Sequence, residues 1–186
     1  MTAMPSAATM QDREGLTRRS CLQYGIGLAG AVLLPAAASA GEVQPWPRSE
    51  PLPALDALDL QGKRWAFDAL RGRAVVLNFW ASWCEPCRQE LPTLQQLVDV
   101  YGGDKLVVLA LNFKESPPVA ARFARNAAMT EPVLLDPAGD IAKRWAVRIF
   151  PTTFGVGRDG KPRWRVRGEM DWSAPEALRL VDTLLA

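Results

Sequence analysis

The residues best suited to chemistry are Cys84 and Cys87, in the stretch Trp83-Cys84-Glu85-Pro86-Cys87. Upstream, Ala74 to Trp80 is apolar except for Asn78, as a strand buried on both faces requires. Downstream, Leu91, Leu94, Leu97, Val98 and Tyr101 recur at the spacing of an amphipathic helix, which predicts a helix over 84–101, kinked at Pro92. Cys84 thus falls where a buried strand gives way to a helix N-terminus. Unpaired N–H groups and the helix dipole favour an anion there, so a thiolate at Cys84 has a depressed pKa and is a nucleophile. Cys87 lies one helical turn on, with Cα atoms about 5–6 Å apart, within reach of a disulfide.

A bridge closing so short a loop gains little from chain entropy, so a structural staple is the weaker reading. Reversible exchange is the stronger one: Cys84 attacks a substrate disulfide and Cys87 resolves the mixed disulfide. Pro86 removes a backbone donor near the sulfurs. Glu85 adds a negative charge that opposes a low thiol pKa and favours a weaker oxidant. A zinc or iron–sulfur centre would need ligands from two chains, because the 186 residues include three cysteines and no histidine. The missing histidine also excludes Ser-His and Cys-His catalysis and any imidazole switch. Lys and Arg total 22 against 20 Asp and Glu, a net charge of +2 that does not point to nucleic acid. With 48% hydrophobic and 23% charged residues, the composition is that of a globular domain.

The first forty residues read as an export signal. Arg18 and Arg19 precede an uncharged stretch from Ser20 to Gly41, with an apolar centre over Tyr24–Leu34 and the small-residue site Ala38-Ser39-Ala40. Thr17 to Leu22 resembles a twin-arginine signal, departing from it at Cys21 and Gln23. An uncleaved anchor is the alternative. Cleavage near Ala40 would remove Cys21 and leave Cys84 and Cys87 as the remaining thiols. Residues 41–53 carry Pro45, Pro47, Pro51 and Pro53 and read as an extended lead-in without a fold of its own.

Residues 54–186 alternate strand and helix. A hairpin is expected over 58–60 and 64–67, then strands at 74–80, 106–113 and 132–136, with helices at 118–129 and 140–147. A second hairpin joins 152–157 to 163–168 through Asp159-Gly160. Ser173-Ala174-Pro175-Glu176 reads as a capping box opening a helix through Leu185. Arg163, Arg165 and Arg167 share one strand face, read as a charged surface that blocks edge pairing, with a docking patch for an acidic partner as the alternative. The order implies an α/β domain with a partly parallel sheet.

Val75 to Cys87, followed by Arg88-Gln89-Glu90-Leu91-Pro92, resembles the TlpA/ResA/DsbE-like branch of the thioredoxin fold, exported thiol–disulfide oxidoreductases. Phe150-Pro151-Thr152-Thr153 is similar to the family's cis-proline loop. The resemblance implies a central mixed β-sheet flanked by helices with an N-terminal β-hairpin extension. It implies an exposed nucleophile at Cys84, a buried resolving thiol at Cys87 and a cis bond before Pro151. Trp83, Glu85, Pro86, Phe150 and Thr152 would contact substrate, with the Phe150 backbone pairing to an extended segment. Glu90 would move protons to or from the cysteines, and Glu115 would be a second nearby carboxylate. Asn78 stands where cytoplasmic thioredoxins carry a buried Asp, which strengthens the case for Glu90.

The implied function is reduction of disulfides in exported proteins, such as apocytochrome c, in the periplasm. A membrane-embedded thiol carrier would supply electrons to a monomer holding no cofactor and no metal. A thiol oxidant or isomerase of the same fold, or a partner for the thiols of a respiratory copper site, is the alternative. A peroxidase fits poorly because Ala81 stands where a peroxidatic site has Thr. A copper chaperone fits poorly because its Cys-x-x-x-Cys spacing and distant His are missing.

Overall fold

A computed structural model describes residues 41–186, so the export-signal reading of residues 1–40, including Arg18, Arg19 and Cys21, lies outside the described residues. The described chain runs β1 (Glu42–Pro45), β2 (Asp56–Leu58), β3 (Arg64–Ala66), a short 3-10 turn (Phe67–Leu70), β4 (Ala74–Trp80), α1 (Glu85–Tyr101) and β5 (Leu106–Phe113). It continues with α2 (Pro117–Asn126), β6 (Val133–Asp136), α3 (Asp140–Arg144), β7 (Thr152–Val156), β8 (Pro162–Arg167) and α4 (Pro175–Leu185).

Six strands form one mixed sheet in the order β1-β8-β7-β4-β5-β6. Strands β4, β5 and β6 are parallel, while β7, β8 and β1 add antiparallel beyond the other edge of β4. All seven residues of β4 are buried, which is why its sequence, apart from Asn78, is apolar without alternation. Period-two geometry deals them to two layers. Ala74, Val76 and Trp80 pack with Leu91, Leu94 and Leu97 of α1, Ala124 of α2 and Ala177, Val181 and Leu184 of α4. Val75, Leu77 and Phe79 pack with Ile141 and Ala142 of α3, Trp145, Phe154 and, from the hairpin, Ala57 and Trp65. Each fully buried leucine contributes about 1.5–3 kcal/mol of transfer free energy.

The β2–β3 hairpin is a separate two-stranded sheet docked on the β6 edge, where the Leu60 N–H donates to the Val133 carbonyl at 3.0 Å. Asp59 fastens its turn by accepting from the N–H groups of Gln61 and Lys63, both at 2.9 Å, and from Trp65 Nε1 at 2.8 Å.

Four local expectations are corrected. Glu42–Pro45 of the lead-in is a sheet strand, paired from Glu42–Arg167 to Pro45–Trp164. Its proline is tolerated because β1 is an edge strand. Consequently β8 is interior, and Arg163, Arg165 and Arg167 do share a face but guard no edge. Helices α2 and α3 end three residues before the expected ends at 129 and 147. Each closes in a Schellman motif whose left-handed residue is alanine, Ala128 with φ 50° and Ala146 with φ 52°. The capping box does not form. Ala174 is the N-cap of α4, and the Ser173 hydroxyl donates to Asp171 instead.

Gly155 lets β7 pass under an indole. A Cβ added there would lie 2.3 Å from the Trp164 ring. Gly155→Ala is therefore expected to lower the unfolding free energy by about 1–3 kcal/mol in urea denaturation. Gly103→Ala, where an added Cβ meets nothing within 4 Å, should leave it within about 0.5 kcal/mol of the parent.

Candidate active site

Strand β4 ends at Trp80, and after the turn Ala81–Trp83 the chain enters α1 with Cys84 as its N-cap. Cys84 and Cys87 are joined as a disulfide with Cα atoms 5.3 Å apart, and the Cys87 N–H points at Cys84 Sγ at 3.3 Å. A reduced Cys84 thiolate would thus receive a backbone donor and the helix N-terminus together. The expected exposure is corrected: Cys84 is 5% exposed and Cys87 1%, both within the apolar layer under α1. The order is kept, with Cys84 the more accessible sulfur.

Glu85 and Pro86 are exposed on the first turn of α1. Glu85 pairs with Arg88 at 3.1 Å, so much of the charge that would oppose a thiolate is balanced beside it. Trp83 is 63% exposed and meets the edge of Phe150 at 5.9 Å. Phe150 in turn packs on Phe113 at 4.7 Å. The Phe150–Pro151 peptide is cis, as expected. Among the described residues the Phe150 backbone N–H and carbonyl have no hydrogen-bond partner, while the Pro151 carbonyl accepts from Gly168 at 2.9 Å. Thr152 turns inward, and its hydroxyl donates to the Ile149 carbonyl at 2.8 Å. Its hydroxyl therefore fastens the loop.

Glu90, one turn beyond Cys87, is 1% exposed. Its Oε1 accepts from Trp172 Nε1, from Thr153 Oγ1 at 3.3 Å and from Asn78 Nδ2 at 3.4 Å, while Oε2 has no partner. Burial pushes its pKa up to about 8 against the lowering effect of the Trp172 and Thr153 donors, and the carboxylate of Glu169 adds repulsion. Asn78 joins this network through Thr153 Oγ1 at 2.8 Å.

Glu115 serves a different element. It accepts from the Ser82 N–H at 2.8 Å, from the Ser82 hydroxyl, and from Asn112 Nδ2 at 2.6 Å, clamping the turn that delivers Cys84. Lys114, at φ 54°, reverses the chain after β5 so that Glu115 can reach back.

Sequence reasoning missed Trp172, Thr153, Ser82 and Asn112. Trp172 stands 82 residues from Glu90, and no local pattern links them. Its ring stacks on Trp164 at 5.8 Å, the indole that Gly155 accommodates. Among the described residues no helix is long and apolar enough to cross a membrane.

The sheet, the flanking helices, the cis-proline loop and the disulfide at a helix start define a thioredoxin-like fold. Residues 49–165 match the AhpC/TSA family, and the chain belongs to that family. It is 33% identical over 111 residues, 60% of this chain, to a protein of Bacillus thuringiensis subsp. konkukian named thiol-disulfide oxidoreductase ResA. The chain spans 64% of that relative's length. A crystal structure of a putative thiol:disulfide interchange protein DsbE from Chlorobium tepidum superposes with a TM-score of 0.67 at 27% identity, covering 72% of this chain and 94% of the other. StoA from Bacillus subtilis gives 0.59 at 25% identity, covering 72% and 98%.

The raised Glu90 pKa has a sign that stability measurements can read. An unfolded Glu ionises near 4.5, whereas the folded group holds its proton to about 8. Stability contributed by protonated Glu90 is therefore complete below about pH 4.5 and lost as pH climbs towards 8, by up to a few kcal/mol. Urea denaturation of the oxidised protein should show this decline between pH 5 and 8, and Glu90→Gln should flatten it. Trp172→Phe removes a donor to the carboxylate and should move the Glu90 titration above about 8, followed by carbon NMR of its carboxyl group. An unmoved titration would mean the indole does not act on this carboxyl.

Proposed function

We propose that this protein is a thiol–disulfide oxidoreductase that works outside the cytoplasm and reduces disulfides of exported proteins, with apocytochrome c the leading substrate class. The observation that carries the reading is the Cys84–Cys87 disulfide at the N-terminus of α1, beside the cis-proline loop. The names of the ResA and DsbE relatives support the same chemistry.

In the reduced enzyme the Cys84 thiolate, held by the Cys87 N–H and the helix N-terminus, attacks one sulfur of a substrate disulfide. A mixed disulfide forms and the first substrate thiolate leaves. Cys87 then gives up its proton and attacks Cys84 Sγ, which releases the second substrate thiolate and closes the Cys84–Cys87 bond. Two electrons pass to the substrate. An external dithiol, taken here as a membrane-embedded carrier, restores the pair by the reverse exchange.

Glu90 is the buried group that exchanges a proton with Cys87: its ionised form, the minority below about pH 8, takes the Cys87 proton, and the protonated form returns it in the reverse exchange. A carboxyl ionising near 8 is matched to a thiol, whose ordinary pKa is about 8.5. Trp83 and Phe150 supply an aromatic wall for the substrate, and the unpaired Phe150 N–H and carbonyl offer it a strand-like edge.

Cys84→Ser should reduce disulfide turnover to background, and Cys87→Ser should accumulate a substrate-linked species through Cys84 that dithiothreitol releases. Turnover retained by both variants would sink the mechanism. Direction is read by equilibrating the protein in glutathione or dithiothreitol buffers and quantifying the disulfide. A potential near or below about −230 mV is expected of a reductase, and one near about −120 mV would make the protein an oxidant.

A further inference from the structure

A pocket of about 310 Å³ opens beside the cis-proline loop, lined by Trp145, Ile149, Phe154, Arg148, Arg165 and Arg167 among others. Its setting follows from the register. Thr152 faces Arg167 and Phe154 faces Arg165 across β7 and β8, so both arginines rise on the face carrying the Phe154 ring. Arg148 comes from the loop just before Phe150-Pro151. The floor is aromatic, with Trp145 and Phe154 edge to face at 4.7 Å. Arg167 closes β8 at the sheet end where β7 begins and β4 delivers Cys84.

The charge at this pocket is one-sided. No carboxylate lines it, and among the described residues Arg148, Arg165 and Arg167 make no ion pair. Arg165 Nε donates to Gln44 Oε1 at 2.7 Å, a neutral partner that holds the side chain in place. The register-matched acid, Glu42 opposite Arg167, accepts from Gln44 at 2.7 Å and does not pair with Arg167. Interior strands do not need charge to block edge pairing, so protection of a sheet edge does not account for the arginines on β8. Guanidinium groups over an aromatic floor suit a planar carboxylate, which they can bind through paired N–H donors.

We propose that this pocket binds an acidic side chain, Asp or Glu, of the substrate polypeptide, a few residues from the cysteine being reduced. Ile149 lines the pocket and adjoins Phe150, whose free backbone groups offer the pairing edge. Side chains two residues apart on an extended segment stand about 6.5 Å apart on one face, so a segment pairing at Phe150 places a neighbour over the arginines. The proposal rests on the oxidoreductase reading, and it assigns the feature by which substrates are ranked.

The test uses two fluorescent peptides with Ser in place of Cys, identical except for Glu or Gln two residues on either side, bound to the oxidised protein. The Glu peptide should bind about tenfold more tightly at low salt, with the gap narrowing at 0.5 M salt. Arg148→Ala/Arg167→Ala should erase the preference, and Arg148→Glu/Arg167→Glu should transfer it to a Lys peptide. Equal affinities for the Glu and Gln peptides, or a preference surviving both variants, would overturn the proposal. Turnover of hydroxyethyl disulfide, small and uncharged, is measured alongside. Its loss in the parent protein would refute the oxidoreductase reading without touching the binding result, and its retention in the arginine variants shows that the thiol chemistry is intact.

Discussion

The handover from β4 to α1 is the constraint on which the rest of the structure depends. β4 is held on one edge by parallel β5 and on the other by antiparallel β7, and all its residues are buried. A strand so fixed has no freedom in register, since a one-residue slip would send Val75, Leu77 and Phe79 into the layer of α1. Its end is therefore a fixed point in space. The Ser82–Glu115 clamp converts that point into a fixed position for Cys84. Because β7 begins beside the end of β4, the same pairing brings the cis-proline loop to the disulfide. The cis-proline loop and the sulfurs are thus placed by one set of ladder hydrogen bonds.

The second constraint is the buried acid. Glu90 lies on the inward face of α1 because it follows Cys87 and precedes Leu94 at helical spacing, so it cannot turn to solvent without unseating the helix. Three donors converge on Oε1 and none reaches Oε2. That lopsided arrangement suits a protonated carboxyl better than a carboxylate, which would leave a charged oxygen unsolvated. The donors come from three separate elements: Asn78 from β4, Thr153 from β7, and Trp172 from the segment before α4. Trp172 is in turn seated on Trp164, whose ring lies over Gly155. A single glycine in β7 is thereby linked by contact to the acid beneath the disulfide.

Much of this is legible in the chain, and the gaps have physical reasons. β4 and β5 can be read to the residue because both faces are covered and the apolar run has sharp ends. Cys84 and Cys87 are readable because strand end, helix start and spacing coincide. The ends of α2 and α3 are not readable, since Ala128 and Ala146 occupy left-handed positions where glycine would be the signal. β1 is hidden by Pro45 and the prolines that follow it, which read together as a lead-in although an edge strand accommodates one proline. The position of Glu90 is marked by resemblance, but its burial is not, because that depends on residues 63 and 82 positions away. Arg163, Arg165 and Arg167 show the same limit. Their shared face is a matter of local alternation, whereas what the face meets depends on a strand more than a hundred residues earlier.

These charges also bear on which influence governs the thiols. Glu85 is the nearest acid in sequence, but it is exposed and balanced by Arg88, and an exposed pair of this kind carries little energy. The helix N-terminus and the Cys87 N–H act directly on Cys84 Sγ inside an apolar layer, where such interactions are screened far less. Glu90 sits in that layer too, and below about pH 8 it is largely neutral. At neutral pH the apolar layer around Cys84 therefore holds a neutral carboxyl and not a buried negative charge. Were Glu90 ionised, a thiolate at Cys84 would share that apolar layer with a like charge. The burial that holds a proton on Glu90 is thus also what leaves the helix N-terminus free to act on Cys84.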